Sequence, residues 1–509
     1  MLVLLNMACY PIRTHVRIGG AIMLQAAALK LDTYLPRSPR KNRYFRLVED
    51  NYEQLEWVWD QKYQQKYGYW RPYVTAVIYK FLDCGDPHLG FARVKCDDCK
   101  HEYILPFSCK RRHFCPSCHQ KRVLEFGEHL HEEVLQDVPH RQWVFSLPKR
   151  LRPYFMYDRK LLAKLSRCAW NVLADYLKAG VTRNDPIPGC VIAVQTFGEF
   201  LNFNPHLHII ATDGCFCPDG SFMTGITPDA ADLEAAFAVE VFDLLKKEGK
   251  ISRIIINNMN NWEHSGFNVY CGQPVSAWDD AGIERLSQYI VRAPISQERM
   301  LYMPVQESPD GTAKVVYGGK TSRVNETFTA LDWLARLVTH IPNKGEQMVR
   351  YYGYYSNKSR GIRKKDALID TTENPSPGSV NTATTIVKSD LARKKFRKNW
   401  ARLIQKIYFV DPLLCPKCGG GMRIISFIED DATIKKILMH LDRWLPQTHD
   451  PPQVEADRIT IHIHPHRSYE WWEAIKYVSG NEYSDDTIVQ SPYEDEYSQL
   501  DPCEYNFTD

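Results

Sequence analysis

No stretch of this 509-residue chain approaches the roughly 18 to 20 uninterrupted apolar residues that a membrane-spanning helix needs, so no membrane partner is expected. The apolar start, residues 1–9, lacks a basic leading region and a clear small-residue cleavage site, which argues against a secretory signal. An excess of one charge is also missing. With 64 Lys and Arg against 61 Asp and Glu, a net +3, the overall balance points to no particular partner, and any nucleic-acid signal has to be local. No nucleotide-binding loop is complete: Gly319-Lys320-Thr321 has the right ending, but Lys314 stands where the leading glycine belongs. There is no internal repeat. The fifteen cysteines are odd in number and scattered, with six in three CxxC pairs, which suits metal binding in a reducing cytoplasm better than a disulfide framework.

What is present is local. Basic residues cluster at Lys110-Arg111-Arg112, Lys121-Arg122, Lys149-Arg150, residues 360–365 and residues 393–398, while the tail after Ser479 is acidic. Such asymmetry hides a basic face inside a modest total charge. The length allows two or three domains. After a leader over residues 1–43, residues 44–138 read as a helical and zinc-binding DNA-binding domain, with a second helix starting at Pro72 and another after Arg122. Short β-rich runs at 142–147, 190–196 and 207–212, separated by a helical stretch at 160–178, place an α+β catalytic domain over 139–370. Helices are expected over 331–341 and 346–357. Residues 371–385 are a Pro-, Gly- and Ser-rich linker. Residues 386–480 form a small accessory domain that opens on a basic amphipathic helix carrying Phe396, Trp400, Leu403 and Ile404, and 481–509 are an acidic, disordered tail.

Cys96 and Cys99, followed after fifteen residues by Cys115 and Cys118, have the spacing of two thiolate knuckles closing on one structural Zn. Cys84, Cys109 and His113 lie near enough to be spare ligands. Cys415 and Cys418 are half a site, completed by histidines such as His462 or His464, or else a reduced pair of thiols.

In Asn204-Pro205-His206-Leu207-His208-Ile209, strand alternation projects both imidazoles from one face and sends Leu207 and Ile209 into the core. A strand ending at Val194-Gln195-Thr196 hairpins into this one, so the Gln195 amide can complete a three-ligand open site; Glu199, in the connecting loop, is the alternative. Downstream, Tyr351 and Tyr355 are four residues apart and would share one face of a helix, like paired nucleophiles, with Tyr352 as their rival. Lys344, Arg350, Lys358 and Arg360 surround them and, with Lys110, Arg111, Arg112, Lys149 and Arg150, are the candidate phosphate contacts.

From about Gly68 to Phe427 the chain resembles the HUH-endonuclease transposases of bacterial insertion sequences, the family numbered ninety-one. The stretches that carry the resemblance are CGDPHLGFARVKCDDCKHEYILPFSCKRRHFCPSCHQKR, WVFSLPKRLRPYF, QTFGEFLNFNPHLHII and HIPNKGEQMVRYYGYYSNKSRG, in that order. The resemblance implies an HUH-type antiparallel-sheet nuclease core behind a small zinc-binding module. It implies that the strand at Val144-Phe145-Ser146-Leu147-Pro148 lies beside the histidine strand, that His206 and His208 hold Mg²⁺ or Mn²⁺, and that a tyrosine attacks single-stranded DNA to leave a 5′-phosphotyrosine. Transposon ends and target DNA are the implied partners, with a host helicase and a location at the bacterial nucleoid. The alternatives are a replication initiator or relaxase using the same chemistry, and a non-catalytic zinc-dependent DNA-binding protein.

Overall fold

The computed structural model describes residues 39–444, except 112, 225–228, 320–323, 364, 366–400 and 407–410. The α+β class expected from the sequence is the class observed. Two helices open the described chain, α1 (Arg43–Lys62), capped by Asn42, and α3 (Pro72–Leu82), which has a proline in its first turn; the short α2 (Gln64–Tyr67) lies between them. A hairpin of β1 (Phe91–Cys96) and β2 (Glu102–Pro106) follows, then α4 (Pro116–His129), continued by one π-helical turn to Val134.

The centre is a five-stranded antiparallel sheet. It uses β3 (His140–Ser146), β4 (Gly189–Phe197), β5 (Phe203–Thr212), β8 (Asn268–Val275) and β12 (Val349–Gly353), in the order β12-β4-β5-β3-β8. Because strand side chains alternate, the sheet has two different faces. One carries Trp143, Phe145, Ile192, Val194, Leu207 and Ile209 and is sealed by α6 (Lys160–Ala179) and α7 (Ala230–Lys247), after the short α5 (Arg152–Tyr157). Between β5 and α7 runs a small hairpin of β6 (Gly214–Phe216) and β7 (Phe222–Thr224), and α8 (Arg253–Asn260) precedes β8. The other face is covered by α4, its π-turn and α9 (Asp280–Tyr289), through Phe126, Leu130, Val134, Ile283, Leu286 and Ile290. The stripe Ile283, Leu286, Ile290 has helical spacing, which is why α9 lies flat on the sheet.

A second core joins parts distant in sequence. The sheet of β9 (Met300–Met303), β10 (Lys314–Gly318) and β11 (Asn325–Thr329), with α10 (Ala330–Val338), packs Tyr302, Val315 and Trp333 against Tyr44, Phe45, Val77 and Phe81 of the N-terminal helices. Buried Asn51 donates to Tyr302 at 2.9 Å across that join. A third sheet is made when β13 (Met422–Ile428) adds to the far side of β1, followed by α11 (Asp431–His440). Among the described residues no helix is long and apolar enough to cross a membrane.

Candidate active site

β5 presents His206 and His208 on the face that α9 covers, while Leu207 and Ile209 enter the opposite core. Cross-strand register places Gln195 of β4, His206 of β5, Ser146 of β3 and Asn268 of β8 in one row across four strands, all on that face. The imidazole rings of His206 and His208 are 4.9 Å apart. His206 Nδ1 lies 2.7 Å from the carbonyl oxygen of Asn204. A carbonyl only accepts, so Nδ1 carries the proton and Nε2 presents its lone pair, as outer-shell hydrogen bonds do in histidine metal sites. Gln195 is buried and donates from Nε2 to the Ile290 carbonyl at 3.0 Å, which ties the end of α9 to the sheet and leaves the amide oxygen as the atom able to face a cation. This donor set fits a divalent ion with open positions. Glu199 falls in the short 3-10 turn between β4 and β5.

The side chain over this site is one that the sequence reading missed. Tyr289, the last residue of α9, sets its ring edge-on to His208 with centroids 5.2 Å apart; it is 40% exposed, and the Arg292 guanidinium lies 5.0 Å from its centroid. The available signal was a tyrosine at the end of a helix whose apolar stripe marks it as packed on the sheet, followed three residues on by arginine.

Tyr351 and Tyr355 do not share a helix face. Residues 349–353, expected as helix, are strand β12, because a run of Val, Arg and Tyr suits a pleated edge and Gly353, at φ +58°, turns the chain where a Cβ would strike the Pro188 carbonyl. Tyr351 pairs with Val191, half-buried under the Arg360 guanidinium at 4.9 Å. Its Cα is on the order of 12 Å from that of His208, two strands across and two residues along. Tyr352 points to the other face and stacks on Trp170 at 5.4 Å, with burial pushing its phenol up to about 12. Tyr355 is fully buried; its hydroxyl takes the Gln136 N–H at 3.3 Å and sits 2.7 Å from His140 Nε2. Burial raises its pKa and lowers that of His140 to about 4, so both are neutral packing groups. Gly189 leaves room for the ring, where a Cβ would come within 2.7 Å of it.

The cysteines also regroup. Cys96, Cys99, Cys115 and Cys118 do not form one site: Cys115 and Cys118 meet Cys84 and Cys109, and Cys96 and Cys99 meet Cys415 and Cys418. The reason is the β1–β2 hairpin, which has Cys96 and Cys99 at its tip and Cys84 and Cys109 beyond its base, about 15–20 Å away for a strand of this length. At the base, Cys84 and Cys115 sulfurs are 3.8 Å apart and those of Cys109 and Cys118 are 3.7 Å apart, with Cys115 capping α4. His113 is outside this set, with its ring 6.0 Å from that of His119. His462 and His464 lie outside the described residues.

Of the candidate phosphate contacts, Lys149 and Arg150 are exposed just past the end of β3 whose Ser146 faces His206, and Arg150 donates to Asn258 at 3.2 Å. Lys344 and Lys358 are exposed, and Arg350 is half-buried on the sheet face opposite the histidines. Arg360 is a packing residue, 7% exposed, donating to Asn357 beneath Tyr351. Lys110 and Arg111 follow Cys109, where the Arg111 N–H donates to the Cys109 sulfur at 3.5 Å; Arg112 is outside the described residues.

Two family descriptions match the chain, "Transposase zinc-binding domain" over residues 55–147 and "Putative transposase" over residues 189–362. The transposase for insertion sequence element IS801 of Pseudomonas savastanoi pv. phaseolicola is 25% identical over 369 residues, covering 68% of this chain and 82% of that protein. The putative transposase y4qJ of Sinorhizobium fredii (strain NBRC 101917 / NGR234) is 24% identical over 372 residues, 69% of this chain and 88% of that protein. No solved structure matches.

Proposed function

Since this chain belongs to the transposases of the insertion-sequence family numbered ninety-one, with their N-terminal zinc-binding domain, we propose that it nicks and rejoins single-stranded DNA at its element's ends, using Tyr289 as nucleophile. The observation that carries this reading is the exposed Tyr289 phenol beside His208, whose neighbour His206 lies in one row with Gln195, Ser146 and Asn268.

Tyr289 Oη attacks the scissile phosphorus, a phosphotyrosine bond forms, and the bond to the 3′ oxygen breaks. The phenol proton leaves to solvent and the 3′ oxygen takes one up as a free 3′-OH. A later 3′-OH attacks the same phosphorus and releases Tyr289, so the bond energy is kept and ATP is not needed. That fits a chain with no complete nucleotide loop and leaves strand opening to a host helicase. His206 Nε2, His208 and the Gln195 oxygen would hold Mg²⁺ or Mn²⁺, which when bound polarises the phosphate and offsets the charge that develops there. Arg292 lies over the Tyr289 ring, where its guanidinium can meet the phosphate that the phenol attacks. Lys149 and Arg150, at the open end of β3, supply cations for the entering strand.

The test is incubation of the purified protein with labelled single-stranded DNA from the element's ends and Mn²⁺, followed by a denaturing gel. The expected result is a covalent protein–DNA band that is lost in Tyr289→Phe and His206→Ala and kept in Tyr355→Phe. A band lost in Tyr351→Phe but kept in Tyr289→Phe would return the nucleophile to β12. Binding without any band, on cognate DNA, would make this a non-catalytic zinc-dependent DNA-binding protein.

A further inference from the structure

We propose that the chain carries a second structural metal site, on Cys96, Cys99, Cys415 and Cys418, that staples the segment after the catalytic sheet onto the N-terminal module. Neither family match reaches residue 415.

The four sulfurs lie within 4.8 Å of one another, with cross-pairs of 3.6 Å for Cys96–Cys418 and 3.5 Å for Cys99–Cys415. A tetrahedron with Zn–S bonds of about 2.3 Å has sulfur–sulfur edges of about 3.8 Å, so the cluster has the size of a tetrathiolate zinc site. Both pairs have the local form of a knuckle. The residue after the second cysteine is left-handed in each, Lys100 at φ +61° and Gly419 at φ +72°. The Cys415 sulfur faces the N–H groups of Lys417 and Cys418, and the Gly419 N–H returns to the Cys415 carbonyl at 2.9 Å.

The backbone brings the two knuckles together independently of the sulfurs. β13 pairs with β1 from Phe91 opposite Ile428 to Cys96 opposite Met422. The Asp97 N–H donates to the Gly421 carbonyl at 3.1 Å, and Arg423 pairs with Asp97 at 2.8 Å. Gly420 passes so close to Asp98 that a Cβ there would sit 1.9 Å from a carboxylate oxygen. The result is a three-stranded ribbon with cysteines at one end and only small apolar clusters on its faces, to which a metal would add stabilisation. The same docking reaches the catalytic face. Residues 401–406 run beside the ribbon, Ala401 and Ile404 pack with Val94 and Cys96, Arg402 donates to Glu128 of α4, and Lys406 pairs with Glu128 at 3.2 Å and with Glu284 of α9, the helix that ends in Tyr289.

The experiment is metal analysis of the purified full chain, which is independent of any DNA chemistry. Two equivalents of zinc per chain are expected, falling to one in Cys415→Ser/Cys418→Ser with the helical circular-dichroism signal retained. One equivalent in the unmodified chain, or two retained in the variant, would overturn the proposal. If the variant does not fold, cobalt substitution of the unmodified chain decides: the thiolate-to-metal absorption should correspond to eight sulfur–cobalt bonds, the two sets of four cysteines, and an intensity matching four would overturn it. Failure of thiol titration under denaturing, non-reducing conditions to find Cys96, Cys99, Cys415 and Cys418 would show disulfides instead and also overturn it.

Discussion

Two groups of tyrosines border the same sheet and differ in nearly everything that matters for reactivity. On β12 and the turn after it, Tyr352 and Tyr355 are sealed into packing, and Tyr351 lies half-covered by a guanidinium. On α9, Tyr289 stands 40% exposed, beside an imidazole and an arginine. A phenol is a poor nucleophile at its ordinary pKa near 10, and burial raises that value further, so the crowded cluster is chemically the quieter one. Density of a residue type along the chain is therefore a poor guide to where it acts; surroundings decide.

The largest expected effect that sharpens this contrast is in Tyr289→Phe, which should lower covalent adduct formation at least ~10³-fold while leaving DNA binding intact, because Tyr289 is the phenol set against His208 among the described residues. In His206→Ala the same assay should fall about 10²–10³-fold, the loss of several kcal/mol of charge stabilisation. The β12 side should respond in stability instead. Burial holds His140 neutral, with its pKa down at about 4 from 6.5, so between those values the unfolded chain binds a proton that the folded chain refuses. Stability attributable to His140 is present above pH 6.5 and falls by about 3 kcal/mol as pH is lowered to 4, measurable as urea midpoints across that range. Buried His340, down at about 3, adds to the loss in the same direction. Tyr355→Phe should cost about 1–3 kcal/mol by leaving the Gln136 N–H and the His140 ring without their shared partner, with no change in adduct yield. Tyr351→Phe should be the mildest, within about 0.5 kcal/mol and silent in the gel assay. An adduct defect in either β12 variant at full folded fraction would break the comparison.

Much of the central sheet was legible because its signals are local. Alternation sent Leu207 and Ile209 inward and His206 and His208 to the other face, and the short connection through Gly198 set Gln195 beside them. The helix expected over 346–357 failed because four-residue spacing of tyrosines fits a helix face as well as a crowded strand edge, and only pairing with β4 settles which. α9 went unnoticed because its lone tyrosine has no partner in sequence.

The sequence alone determined which residue types could bind metal and which strand would display the histidines, since a CxxC turn and a period-two strand are properties of a few adjacent residues. Tertiary structure decided which cysteine pairs come together and which tyrosine meets the imidazoles. Those pairings join Cys99 to Cys415 and His208 to Tyr289, and loop-closure entropy rises only slowly with the length between partners. Spacing therefore says little about partnership, and the hairpin and the sheet that hold the groups apart or together say nearly all of it.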